Sequence, residues 1–177
     1  MNEAGINGVN MQSLATLVES VRQDPANART TWSSRVRWLG GFRSEARTRG
    51  LAPTEADEPM ELAGGNSAPS PVEHLLGALG NCLAVGYAAN AALTGITIEQ
   101  LSVEIRGSLD LQVFLGLKEG HAGFDSITAS VRIVAEASRA DLEALHARVI
   151  ASSPVGHTLS NVVPVSVELA PSHPMST

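Results

Sequence analysis

The sequence predicts an α+β fold built on antiparallel sheet, and three observations predict it. Residues 71–93 form one long apolar stretch with a helix-start signal at its head. Segments that alternate apolar and polar residues come in blocks on either side of it. Helical patterns do not alternate one for one with strands, as a parallel α/β sheet requires. The 177 residues, 44% of them hydrophobic, suffice for one domain with a sizeable core; with only 3% aromatic residues, aliphatic side chains must fill it. The expected division is a helical N-terminal extension over residues 1–30, a single domain over 31–170 and a disordered tail over 171–177.

Leu14, Leu17, Val18 and Val21 recur at helical spacing until Asp24-Pro25 closes the pattern, so a short amphipathic helix opens the chain. From Thr31 to Trp38 the residues alternate, with Trp32, Val36 and Trp38 on one face and Arg35 and Arg37 on the other. Gly40-Gly41 then turns the chain into a second strand near Phe42 to Arg49, giving a hairpin. Ala52 to Pro69 mixes acids, prolines and Gly64-Gly65 and reads as a loop with a short strand around Glu61.

Ser70-Pro71-Val72-Glu73 has the form Ser-x-x-Glu with proline at the first helical position, so a helix begins at Pro71 and runs to about Leu93. Leu75, Leu76, Leu79, Leu83, Val85 and Leu93 make it apolar all round, so it is a central helix buried on most sides. One modest sheet covers one side of such a helix. A second subunit would supply the rest, which predicts a homodimer.

Beyond Gly95, three alternating segments follow, Leu101 to Leu109, a weaker Leu111 to Leu117, and Ile127 to Ala135, as an antiparallel meander. A second helix starts at Ser138 with Asp141 three residues on, buries Leu142, Leu145, Val149 and Ile150, and ends at Ser153-Pro154. The last strand, Val162 to Leu169, alternates Val163, Val165, Val167 and Leu169.

A net charge of −6 argues against nucleic acid or an anionic membrane as partner. Leu75 to Leu93 approaches the length of a membrane span, yet it is rich in Gly, Ala and Asn and lacks flanking basic anchors, so it reads as core. One cysteine excludes an intrachain disulfide framework, and Met1 to Val21 has no secretory pattern; both fit a cytoplasmic location. The five histidines, His74, His121, His146, His157 and His173, have no ligand spacing, and Gly64-Gly65 lacks the following Gly-Lys of a phosphate loop, so neither metal nor cofactor is expected.

The single cysteine, Cys82, lies inside the central helix on a stripe with Leu75 and Leu79, facing the packed interior or a crevice. Free cysteine is commonly an inert small hydrophobe in a core. Cys82 also sits too far along the helix for the dipole to activate it, so reactivity would need a nearby cation.

Asp57-Glu58-Pro59, Gly64-Gly65, Pro69 to Leu76, Ala78 to Ala84 around Cys82, and later Ser153-Pro154-Val155 with Thr158-Leu159 resemble the osmotically inducible protein C and organic hydroperoxide resistance (OsmC/Ohr) family over about Trp32 to Leu169. The resemblance implies an intertwined homodimer, with antiparallel sheet wrapped around long central helices and a site at the dimer interface. It also implies thiol-dependent reduction of an organic hydroperoxide at Cys82. The family's second cysteine falls on Ser153 here, so no internal disulfide can form and an external thiol reductant is required.

In that family an arginine activates the thiolate and a carboxylate holds the arginine. Arg43 stands nearest the family's arginine, with Arg37, Arg47 and Arg49 as rivals. The family's glutamate position is Val72, leaving Glu73, one residue on, as either catalytic carboxylate or helix cap. Asp57 and Glu58 are ordinary loop acids unless one holds the arginine across the interface. His157 is either a support for the thiolate or a turn residue facing water. The alternative function is a non-catalytic dimeric module that binds a small apolar ligand at the interface.

Overall fold

The computed structural model describes residues 5–170. Helix α1 (Met11–Gln23) is capped by Asn10, whose side chain accepts from the Ser13 N–H, and it stops where Asp24 turns extended before Pro25. None of its residues is buried, and Leu17 is 58% exposed. Ahead of it, Asn7 is tied to the domain, donating to Ile96 O at 3.0 Å and accepting from the Ile98 N–H at 2.8 Å.

Strands β1 (Arg35–Gly40) and β2 (Arg43–Arg47) pair antiparallel about Gly40 and Gly41, whose φ values of +107° and +58° suit glycine. Strand β3 (Thr54–Ala56) adds to β2 and completes a three-stranded sheet. The short strand expected around Glu61 is thus displaced toward the hairpin. Glu61 itself lies in a 3₁₀ turn, Met60–Leu62, which Pro59 opens and Ala63 closes in the left-handed region at φ +63°.

Helix α2 (Pro71–Leu93) has the limits its sequence predicts. Ser70 Oγ accepts from the Glu73 N–H at 3.4 Å, Glu73 Oε2 accepts from the Ser70 N–H at 2.7 Å, and Gly95 turns the chain away at φ +75°. Strands β4 (Ile98–Ser108) and β5 (Ser126–Ala135) form a separate antiparallel pair. Leu101, Val103, Ile105, Ile127, Val131 and Ile133 on it turn inward against α2. The meander therefore loses its middle strand, because residues 111–117 begin with one helical turn, α3 (Leu111–Phe114). Asp110 Oδ1 caps it by accepting from the Gln112 N–H at 2.9 Å.

Helix α4 (Arg139–Ser152) starts at the predicted Ser138 cap, with the Asp141 N–H donating to Ser138 Oγ. Ser153-Pro154 ends it, but the chain restarts at once as α5 (Pro154–Ser160), for which Ser153 is the N-cap. The expected last strand, 162–169, has no ladder partner among the described residues, and Val165 and Leu169 are 83% and 101% exposed. The expected tail, 171–177, lies outside the described residues.

The core is Leu79, Leu83, Tyr87 and Ala91 of α2 against Leu145 and Val149 of α4, with β4 and β5 packed beside them. Gly86 lets α4 approach, since a Cβ there would stand 2.9 Å from Val149 Cγ1. Tyr87 is buried, which pushes its phenol up, and its hydroxyl is satisfied by His146 Nδ1. By length and composition α2 is also able to cross a membrane, yet this face is the core of the chain. The opposite face is open: Val85 and Leu93 are 69% and 55% exposed. One chain covers the helix on one side only, so the burial expected all round is not achieved within a single protomer.

Candidate active site around Cys82

Cys82 lies at the border of those two faces. Leu79 and Leu83 beside it are buried, Ala78 and Val85 are exposed, and the thiol is half-buried. Its Sγ is 3.3 Å from Ser153 Oγ, the α5 cap, itself buried. The structure thus brings together Cys82 and the residue at the position of the family's second cysteine, 71 residues apart in sequence. Ser153 also lines a cavity of ≈ 500 Å³ whose apolar wall includes Leu79, Leu83, Phe124, Ile127, Ile150 and Leu159, with His157 and Asn161 on its polar side. His157 Nε2 donates to Ala151 O at 3.1 Å, which fixes the ring at the cavity edge.

The other predicted residues stand elsewhere in the protomer. Glu73 is engaged in the α2 cap, and nine helical residues put it roughly 13 Å along the axis from Cys82. Arg43 pairs with Glu55 at 3.5 Å, both about half exposed. Arg37 Nη2 and Arg47 Nε each lie 3.0 Å from the same oxygen, Glu45 Oε1. The hydrogen bond from Arg47, ahead of that from Arg37, holds the buried Glu45 carboxyl below its ordinary value. Arg49 sits at φ +54°, at the end of the hairpin. Among the described residues no hydrogen bond or ion pair joins Cys82 to an arginine.

Asp57 departs from its reading as an ordinary loop acid. It is buried, and its Oδ2 accepts from Ser67 Oγ at 2.8 Å and from the Ser67 N–H at 3.0 Å. Its Oδ1 accepts from the Glu58 N–H at 2.9 Å;. These donors, Ser67 first, pull its carboxyl down to about 2 from 3.8. The clamp closes the loop that leads into α2, and Gly64-Gly65 is what lets the loop wrap. A Cβ on Gly64 would lie 1.8 Å from Glu58 O, and one on Gly65 would lie 2.9 Å from Asp57 Oδ2. Ser67, two residues past the glycine pair, was the available sequence signal.

Two expectations follow. Gly64→Ala should cost about 3 kcal/mol, because backbone and not a flexible side chain must move, and urea unfolding reads it. For Asp57 the folded value is depressed, so its contribution is complete above pH 3.8 and is lost as pH falls toward 2. Asp57→Asn should melt several degrees below the wild type at pH 7, with the gap closing as pH drops through that window, as calorimetry would show.

The fold is shared with solved structures. One is an OsmC-like protein from Mycoplasma pneumoniae, at 19% identity and TM-score 0.65, with 75% of this chain and 89% of that one covered. Another is an organic hydroperoxide resistance protein OsmC from Legionella pneumophila, at 20% and 0.57, with 74% and 91% covered. A third is an organic hydroperoxide resistance protein from Elizabethkingia anophelis, at 13% and 0.53, with 73% and 89% covered. At these identities the likeness is one of fold. No protein of curated function matches the chain in sequence. A family profile described as OsmC-like protein matches residues 64–168, which span α2 with Cys82, both strands of the second sheet, and α4 and α5 with Ser153; the chain belongs to the OsmC-like family.

Proposed function

We propose that the protein reduces organic hydroperoxides at Cys82, acting as a homodimer with an external thiol as reductant. The observation that carries this is the half-buried Cys82 thiol set 3.3 Å from a buried hydroxyl that also lines an apolar cavity. The Cys82 thiolate attacks the hydroxyl-bearing oxygen of the peroxide. An S–O bond forms, the O–O bond breaks, and the alkoxide leaves and takes a proton to become the alcohol. Sulfur is oxidised by two electrons to a sulfenic acid.

Ser153 cannot condense with that acid to a disulfide. A first external thiol therefore forms a mixed disulfide with release of water, and a second, or the other arm of a dithiol, displaces Cys82 as thiol. In the dimer that this reading includes, a partner protomer would do two things. It would cover the open stripe of α2 on which Cys82 borders, and it would offer the hairpin arginines, Arg43 among them, to the thiol. Within one protomer Arg43 pairs with Glu55 and Glu73 caps α2, so under this reading a catalytic role of either is exercised across that interface.

Stopped-flow mixing with cumene hydroperoxide tests the proposal. Cys82 should be lost far faster than free cysteine at the same pH, and Cys82→Ser should abolish the reaction; a rate equal to free cysteine overturns it. The pairing of Arg43 with Glu55 and of Arg37 and Arg47 with Glu45 favours one other reading, a non-catalytic dimeric module holding a small apolar ligand. Under that reading Cys82→Ser leaves binding of an apolar fluorescent probe intact and the thiol reacts no faster than cysteine.

A further inference from the structure

We infer that Ser153 is a fixed hydrogen-bond donor to the Cys82 sulfur, oriented by its place as the cap of α5. A serine hydroxyl has one proton and two lone pairs. Ser153 Oγ accepts from the Gly156 N–H at 3.1 Å, which uses a lone pair and leaves the proton to point elsewhere. Cys82 Sγ at 3.3 Å is the other polar atom within reach of that oxygen among the described residues. When the sulfur is a thiolate it has no proton to give, so the hydroxyl must be the donor.

The arrangement is held in place. Ser153 is 5% exposed, its backbone leads directly from α4 into α5, and Gly156 has no Cβ where one would press on Ser153 Oγ at 2.9 Å. A donor to the charged form favours it, and the Gly156 N–H polarises the hydroxyl in the same sense. Serine at this position therefore exchanges internal resolution for support of the attacking sulfur. This role in the reaction rests on the hydroperoxide reading, but the hydrogen bond does not.

The test is the pH profile of Cys82 alkylation by iodoacetamide, which needs no peroxide. Ser153→Ala removes the donor, and the rate at pH 7 should fall about five- to tenfold with the profile moved to higher pH. Ser153→Asp keeps a side chain that caps α5 but presents a carboxylate to the sulfur, and it should be slowed at least as much. Equal rates for wild type and Ser153→Ala overturn the inference. So does a wild-type rate in Ser153→Asp, which would mean that the cap alone matters. If the alkylation order holds while wild-type Cys82 meets cumene hydroperoxide no faster than free cysteine, the donor stands and the peroxide reading falls.

Discussion

Ser153→Cys should give this protein an internal disulfide after one equivalent of organic hydroperoxide. Wild-type Cys82 lies 3.3 Å from Ser153 Oγ, so a sulfur there needs only a small rotation to reach the ~2.05 Å of an S–S bond. The substitution replaces a hydroxyl by a thiol of similar shape at a buried site. Once Cys82 is a sulfenic acid, the second thiol attacks it, forms the disulfide and releases water. Because the partner is already in place, resolution gains the advantage of an intramolecular reaction, and the sulfenic acid lifetime should shorten by about a hundredfold or more. Mass spectrometry after dimedone trapping reads this directly. The wild type should carry the dimedone adduct and the variant should lose two hydrogens with both thiols gone. An adduct that persists in the variant would mean that the two positions do not meet in solution.

The parts of this fold that were legible in the sequence are those fixed by local chemistry or by a long repeat. Ser70, Pro71 and Glu73 carry the start of α2 by themselves, because the capping pair is made within four residues. The alternation in β4 and β5 is long enough to fix which face is inward. Residues 111–117 alternate too, but over so short a stretch the Asp110 cap prevails and the chain takes a helical turn, with Gly116 leaving it at φ +71°.

The site divides in the same way. The approach of Ser153 to Cys82 followed from motif order in the family resemblance. The arginine partners did not follow, because they depend on strand register. Arg37 meets Glu45 only because β1 and β2 pair with Arg37 opposite Glu45, and an irregularity between Trp38 and Gly40 then sets Arg43 opposite Gly40. The buried Asp57 depends on Ser67, ten residues away, folding back through a glycine pair, which no periodicity announces.

Val165→Asp combined with Val167→Asp should turn the proposed dimer into a monomer. In one protomer the segment after α5 has no ladder partner among the described residues, and its alternating apolar residues are bare: Val163 is 48% exposed, Val165 83%, Val167 90% and Leu169 101%. An alternating apolar segment with free backbone donors and acceptors is suited to join a sheet as a strand. The rest of the protomer has matching open surface, with Trp38 of the hairpin 73% exposed and Val85 of α2 69% exposed. A second copy of the chain would satisfy all of these at once. It would also close the open side of the Cys82 stripe, so assembly and reactivity should fail together. Two carboxylates at positions that the partner would bury would lose the valine burial and add the cost of burying charge, together about 4 kcal/mol or more, so the dissociation constant should rise about a thousandfold. Sedimentation at micromolar concentration should give a dimer for the wild type and a monomer for the variant, with the fast hydroperoxide reaction lost in parallel. A variant that stays dimeric would remove this strand from the interface, and a monomeric wild type would remove the interface itself.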